Sequence, residues 1–237
     1  MDIIKGWQQR ALAIVPPEGS RIQPTRGGLT GAGFFPEGLG LQYPTTDAAW
    51  PSVIAVGHNF GCEQYRNSIE AVGREDTTNA TWRALGRLLR QAGSSIDCCF
   101  MTNWFVGLQP GDKQIGDFLL KPDSRYEGEC RQLLVDEITT LRPTLVLLMG
   151  QHVVARAKEI IPELSPWAGA RSWRAVDRSA IGPVAIGVAV AGTDLRVNVV
   201  ALTHPAMLYS NQRHRLVPHA EMVRRALNGN GAPRAVG

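Results

Sequence analysis

The stretch Val53-Ile54-Ala55-Val56-Gly57-His58-Asn59-Phe60-Gly61 decides how the rest of this sequence is interpreted. Four apolar residues are followed by two glycines that bracket a His, an Asn and a Phe. This pattern predicts a buried strand that opens into a tight loop, where glycine lets the backbone approach a ligand closely. In an open α/β sheet, ligands bind at this end of the strands.

Three further apolar runs end in the same way, and helical patterns separate them. The runs, with the residues that follow them, are Cys98–Met101 before Asn103, Leu145–Met149 before Gly150, and Val197–Leu202 before His204 and Pro205. Strands that alternate with helices predict an α/β fold, here a three-layer α/β/α sandwich with a central, mainly parallel four-stranded sheet. Residues 173–192 predict only a hairpin or irregular strands.

The chain divides by composition into three parts. Residues 1–50 hold a short helix (3–14) and a stretch rich in Pro and Gly, which predicts an N-terminal extension packed on the surface of the domain, without chemistry of its own. Residues 51–228 form the α/β domain, and residues 229–237 form a flexible C-terminal tail. Within the domain, Thr77, Thr78 and Asn79 offer N-cap chemistry to a helix that buries Trp82.

Composition excludes some classes of protein and favours others. The chain has 237 residues, 44% of them hydrophobic, with no apolar run long enough to span a membrane, so we expect a cytoplasmic protein. A net charge of +4 is compatible with a polyanionic partner. The four cysteines include no Cys-x-x-Cys pair and are expected to be reduced and mostly buried.

Polar side chains follow the predicted strands at one edge of the sheet. Two amides, Asn59 and Asn103, would converge there with His204. This set suits recognition of a heterocycle by its hydrogen-bonding edge, together with stabilisation of a developing anion. Because no Gly-x-Ser-x-Gly elbow, P-loop or zinc-ligand spacing is present, the commonest hydrolase and triphosphatase sites are disfavoured.

From Val53 to His214 the sequence resembles the uracil-DNA glycosylase superfamily. The first motif of that superfamily is matched by Gly57-His58-Asn59-Phe60-Gly61, the second by Thr102-Asn103, and the last by His204-Pro205-Ala206. The chain departs from the pattern by lacking the cysteines of the iron–sulfur branch, and Phe60 and Ala206 replace the usual Pro and Ser. Asn59 resembles the Asn of the mismatch-specific and single-strand-selective branches.

The resemblance implies excision of uracil from DNA for base-excision repair, by a monomer that needs no metal or redox cofactor. Uracil-containing DNA would be the substrate and free uracil a product. Asn103 would read the O4 and N3–H of uracil, His204 would donate to O2 as a neutral imidazole, and Asn59 would position the attacking water. Since an amide is not a base, the enzyme would be slow unless Glu63 or Asp76 contributes.

Further residues receive roles from the same resemblance. Gly57, His58 and Gly61 would form the loop against the base, and Phe60, Tyr65 or Trp82 would stack on it. Met207, Leu208 or Tyr209 would fill the gap left by the flipped nucleotide, next to Pro205 and Ala206. The phosphates would contact Arg213, Arg215, Arg224 and Arg225.

Two alternatives remain open. The first is a catalytically weak or inactive protein that binds DNA or a nucleobase on the same fold, because the first motif lacks an Asp. The second is a glycosylase for another deaminated or mismatched base, which Asn59 favours and Asn103 opposes.

Overall fold

A computed structural model describes residues 2–41, 51–112, 124–209 and 212–229. Parts of the proposed N-terminal extension (42–50) and nearly all of the proposed tail (230–237) lie outside the described residues. The α-helices of the described part are α1 (Asp2–Ala13), α2 (Glu63–Glu70), α3 (Ala80–Gln91), α4 (Ser124–Leu141), α5 (Gln151–Arg156), α6 (Trp173–Asp177) and α7 (Leu216–Asn228). Its strands are β1 (Val53–Gly57), β2 (Cys99–Asn103), β3 (Leu145–Met149), β4 (Val184–Ala189) and β5 (Arg196–Leu202).

The strands of the described residues form one sheet in the order β2-β1-β3-β5-β4. β2, β1, β3 and β5 run parallel, so the α/β class and the mainly parallel sheet are confirmed. The expected strand count is wrong, because β4 adds a fifth strand antiparallel to β5. The register of β4 shifts between Ala185 and Val188, and Gly187 there has a φ of +60°. This irregularity removes the alternation by which a strand is recognised in sequence.

Alternate residues of β1 point to opposite faces of the sheet, as its pleat requires. Val53 and Ala55 contact an apolar cluster that includes residues of α3 and α7, whereas Ile54 and Val56 contact one that includes residues of α1 and α4. Both faces are therefore covered, which explains why β1 and β3 read as continuous apolar runs. No helix of the described residues is long and apolar enough to cross a bilayer.

The N-terminal segment packs against the domain, and some of its side chains also belong to the apolar core. Phe34 and Phe35 are 7% and 1% exposed, one in each apolar cluster. The segment is also fixed by an ion pair between Glu37 and Arg66, both buried, at 2.6 Å. The Pro- and Gly-rich composition of the segment does not predict this role, because these contacts join residues that are far apart in the chain.

Glu137 of α4 is a fully buried carboxyl whose burial raises its pKa to about 8. The folded chain keeps this proton after the unfolded chain has released it near pH 4.5, so the contribution of Glu137 to stability is lost as pH rises toward 8. Glu137→Gln stays neutral at every pH. Its free energy of unfolding, relative to that of the native chain, should therefore rise by about 1.4 kcal/mol for each pH unit over this interval. Chemical denaturation at about pH 5.5 and 7.5 measures the difference.

The control for Glu137→Gln is Glu129→Gln, which changes a carboxyl on the same helix that pairs with Arg125 near the surface. Its free energy of unfolding, relative to the native chain, should not change between the two pH values. Equal pH dependence of the Glu137→Gln variant and the native chain would contradict the buried, protonated state.

Candidate functional site

A cavity of about 270 Å³ lies at the carboxyl ends of β1, β2, β3 and β5. The residues of its wall that sequence analysis had singled out are Gly57, Asn59, Phe60, Gly61, Tyr65, Trp82, Asn103, His204 and Ala206. Three separate sequence motifs therefore meet around one space, as the position of their strands in the sheet predicted.

Asn103 ends β2 and is paired in register with Gly57 at the end of β1. Its Nδ2 donates a hydrogen bond to the carbonyl oxygen of Phe35 at 2.9 Å, and the residue is 5% exposed. A Cβ atom at position 57 would lie 2.6 Å from Oδ1 of Asn103, so only glycine leaves room for this amide. The bond to Phe35 fixes which end of the amide is the donor, and it leaves one N–H and the Oδ1 lone pairs for a ligand.

His204 stands two residues beyond β5, and its ring is mostly enclosed. The backbone N–H of Ala206 donates to its Nδ1 at 3.3 Å. Burial lowers the pKa of His204, so the imidazole is neutral at pH 7. With Nδ1 acting as an acceptor, the proton of the neutral ring lies on Nε2. His204 is thus a neutral imidazole whose N–H group is on Nε2.

Asn59 is half-buried, and its Nδ2 donates to the carbonyl oxygen of Gly61 at 2.8 Å. A side-chain hydrogen bond also joins Asn59 to His58. This bond raises the pKa of His58, as a hydrogen bond donated by the imidazole does, so Oδ1 is the atom of Asn59 that accepts from His58. An amide oxygen has two lone pairs, so it can accept a second hydrogen bond, for example from a water molecule.

His58 was expected to bind substrate, but it does not line the cavity. Its ring lies 5.3 Å from the ring of Phe105 and 5.1 Å from that of His152, on the other side of the loop. Burial, with the nearby His152 and Arg156, lowers the pKa of His58 to about 3. His58 is consequently a neutral residue that orients Asn59.

Aromatic rings form one side of the cavity. Phe60 and Tyr65 lie 5.7 Å apart in a tilted arrangement, and Trp82 packs edge-on against Phe34 at 5.5 Å. Trp82 is 2% exposed, in agreement with the core position expected from its helical spacing. Phe34 was not predicted, because it comes from the N-terminal segment and no periodicity connects it to the strand ends.

Glu75 is the carboxylate that sequence analysis missed. Its Oε2 accepts from the backbone N–H of Phe34 at 2.7 Å, and its Oε1 accepts from the hydroxyl of Tyr65 at 2.8 Å. Burial raises its pKa. The two carboxylates proposed from the sequence do not line the cavity: Glu63 pairs with Arg26, and Asp76 is exposed and caps the turn at Thr78. The sequence indicated that a carboxylate contributes here, but it pointed to Glu63 or Asp76 and not to Glu75, the neighbour of Asp76.

Asn79 connects this group to α3. Its Oδ1 accepts from the N–H groups of Thr81 and Trp82, which confirms the expected helix cap, and its Nδ2 donates to the hydroxyl of Tyr65 at 3.4 Å. Tyr65, Glu75 and Asn79 therefore form one hydrogen-bonded network behind the aromatic side. The network holds α2, α3 and the N-terminal segment around the cavity.

The residues after His204 differ in accessibility. Pro205 and Leu208 are buried, so the expectation that Leu208 enters the nucleic acid is wrong. Ala206 lines the cavity, and Met207 is 39% exposed beside it. Arg213 is also exposed. The side chain of Tyr209 lies outside the described residues.

The arginines of α7 are not placed as expected. The side chain of Asn198, near the start of β5, donates to the carbonyl oxygen of Ala226, so the C-terminal end of α7 lies at the amino edge of the sheet. Arg224 and Arg225 belong to this end, away from the cavity, and Arg224 pairs with Glu221. Arg215, the residue before α7, pairs with Asp177 at 2.7 Å.

The four cysteines are all free thiols, and three are buried while Cys98 is exposed. Within the described ranges, no three His, Cys, Asp or Glu side chains are grouped so that they could hold a metal ion. Burial raises the pKa of Cys99 and of Cys130, to about 12 for the latter, which makes both thiols unreactive at pH 7.

Comparison of the chain with known protein families finds no matching family model, and no curated protein sequence matches it.

Proposed function

We propose that this protein is a uracil-DNA glycosylase, which hydrolyses the N-glycosidic bond of deoxyuridine that has been flipped out of DNA. The observation that carries the proposal is the arrangement of Asn103 and His204 in one cavity at the strand ends. Asn103 offers one N–H and one acceptor oxygen, which complement O4 and N3–H of uracil. His204 offers a neutral Nε2–H donor for O2.

The reaction needs stabilisation of the departing base. When the C1′–N1 bond breaks, its electrons remain on uracil, and the negative charge spreads to O2 and O4. Donors fixed in a buried site stabilise such a charge without reorganising. Water then adds to C1′ and loses a proton to the solvent, and the uracil anion takes up a proton, so the products are uracil and an abasic site. The amide oxygen of Asn59 would accept a hydrogen bond from this water.

The three-layer α/β/α sandwich is the architecture that we propose for this activity, supported by the apolar clusters on both faces of the sheet. We further propose a cytoplasmic monomer that uses neither metal nor redox cofactor. Residues 51–228 would carry the reaction, together with Phe34 and Phe35 of the N-terminal segment, which complete the cavity and fix Asn103.

One observation favours a second candidate function, binding of DNA or a nucleobase without efficient catalysis. Within the described part of the chain, Glu75 is the carboxylate of the cavity, and both of its oxygens accept hydrogen bonds from the protein. A carboxylate so engaged does not activate water readily, and Asn59 carries no charge to stabilise an oxocarbenium-like sugar.

The proposal is tested on single- and double-stranded oligonucleotides that contain uracil, hypoxanthine, xanthine or thymine opposite guanine. After incubation with excess protein, alkali cleaves the strand at abasic sites. We expect cleavage at uracil. Cleavage only at another base would replace uracil as the substrate, and retained binding without cleavage would favour the second candidate function.

Asn59 is tested in the same single-turnover assay. Asn59→Ala should lower the rate of uracil excision about 10-fold or more, because the water loses its positioning acceptor. Asn59→Asp should raise the rate above the native value, since a carboxylate both orients water and stabilises positive charge on the sugar. A rate that is the same in all three proteins would remove Asn59 from the mechanism.

A further inference from the structure

Helix α6, the three residues before it and its C-cap residue Arg178 together span 170–178, are called here the α6 arm, and lie beside the cavity. At one end of the arm, Nε2 of Gln151 donates to the carbonyl oxygen of Ala170 at 2.7 Å. Gln151 is the first residue of α5 and comes two residues after β3. This bond therefore places the start of the arm at the carboxyl edge of the sheet, where the cavity opens.

A second set of contacts holds the rest of the arm against the segment that carries His204. Asp177 pairs with Arg215 at 2.7 Å, and the guanidinium of Arg215 lies 5.8 Å from the centre of the Trp173 ring. Trp173 in turn contacts His219 edge-on at 6.4 Å. The Nε2 of His219 accepts from the backbone N–H of Thr203, the residue before His204, at 3.2 Å.

The arm exposes three arginines, Arg171, Arg174 and Arg178. Arg174 and the C-cap residue Arg178 are four residues apart, so they lie on the same side of the arm, and Val176, which is fully buried, points the other way. The acidic residue of the arm, Asp177, is already engaged by Arg215. Among the described residues, no acidic side chain pairs with any of the three arginines.

We propose that the α6 arm is a binding surface for the phosphate backbone of DNA next to the extruded nucleotide. Three guanidinium groups, which have no acidic partner in the described part of the chain, form a basic strip with exposed Arg213 on the neighbouring turn, at the edge where the cavity opens. Arginine is suited to this task, because its planar fork matches phosphate oxygens. The inference rests on the proposed function for the identity of the polymer, and it moves the phosphate contacts from the end of α7 to α6.

The ionic part of DNA binding is measured with a labelled duplex that contains no uracil, so that no reaction occurs. Fluorescence anisotropy gives the affinity of the native chain, of Arg174→Gln/Arg178→Gln, and of the control Arg90→Gln/Arg142→Gln. The control removes the same charge at the amino edge, since Arg90 precedes β2 and Arg142 precedes β3. All four side chains are exposed, and equal melting temperatures verify that both variants are folded.

The arm variant should bind the duplex about 10-fold more weakly than the native chain at about 100 mM salt, and the slope of log K against log salt should be smaller in magnitude by about two. The control should change the affinity less than threefold. Equal losses in the two variants, or no binding of DNA by the native chain, would overturn the proposal.

The experiments distinguish a failure of the α6 inference from a failure of the proposed glycosylase function. Excision of uracil with equal DNA affinity in the arm and control variants would defeat the α6 inference and leave the glycosylase intact. Loss of affinity in the arm variant, in a protein that excises no base, would leave the arm as a DNA-binding surface and defeat the glycosylase.

Discussion

Asn103→Asp should reduce single-turnover excision of uracil by about 10³-fold, because a buried site that hydrogen-bonds its substrate rejects a mismatched partner strongly. The carboxylate replaces the N–H that would meet O4 of uracil with an acceptor oxygen. It also places negative charge where the departing base becomes an anion. Both effects raise the free energy of the transition state more than that of the bound substrate.

The same substitution has a structural consequence that must be separated from its chemical one. Asn103 donates to the carbonyl oxygen of Phe35 at 2.9 Å, and Asp cannot donate when ionised. Asn103→Ala therefore serves as the comparison, since it loses the same bond without introducing charge. The Asp variant should melt at a lower temperature than the Ala variant, because it buries an unpaired charge next to the carbonyl oxygen of Phe35. Rates are therefore compared well below both melting temperatures, where we expect slower excision by the Asp variant than by the Ala variant.

Gly57→Ala provides an independent measurement of the same amide. The added Cβ would approach Oδ1 of Asn103 to 2.6 Å, which displaces the amide without removing any of its hydrogen-bonding groups. A loss of rate in this variant would connect excision to the position of the amide. Native rates in the Gly57 and Asn103 variants together would exclude Asn103 as the base reader.

The strand ends could be predicted from the sequence because each depends on a local pattern. Val53–Gly57 and Leu145–Met149 are apolar throughout, and both are buried in the sheet with helices on each face. The β4 strand could not be predicted in this way, since Gly187 interrupts it and its N–H is satisfied by the side chain of Asn198 instead of a regular ladder. Helix α2 was also missed, because it is short and mostly polar.

The sequence predicted the cavity residues that follow the strands, but not those that the N-terminal segment and the loop before α3 contribute. Asn59, Asn103 and His204 each follow a strand, so topology alone brings them together. Phe34 and Glu75 meet through a hydrogen bond between residues 41 positions apart, and no repeating pattern encodes such a contact. Leu208 shows the converse: it follows the His204 motif in sequence, yet it is 1% exposed and belongs to the core.

His204→Ala should lower the single-turnover rate by about 10²- to 10³-fold, the cost of losing one fixed donor to a developing anion. The effect should fall on the rate at saturating DNA and leave DNA affinity nearly unchanged, because uracil gains its charge only as the bond breaks. His204→Gln places an amide N–H near the position of Nε2 and should recover part of the rate. Equal rates in the Ala and Gln variants would argue against a donor role.

The pH profile distinguishes a neutral donor from a cationic one. Burial lowers the pKa of His204 below its usual value of 6.5, so the ring stays neutral as pH falls through 6.5 and becomes charged only at lower pH. If the neutral Nε2–H stabilises uracil O2, the ratio of native to His204→Gln rates should stay constant between about pH 6.5 and 8. A cationic donor predicts instead that this ratio falls as pH rises through 6.5. Because Nδ1 accepts from Ala206 at 3.3 Å, the second proton of a cation would have to break that bond, and the loop itself favours the neutral ring.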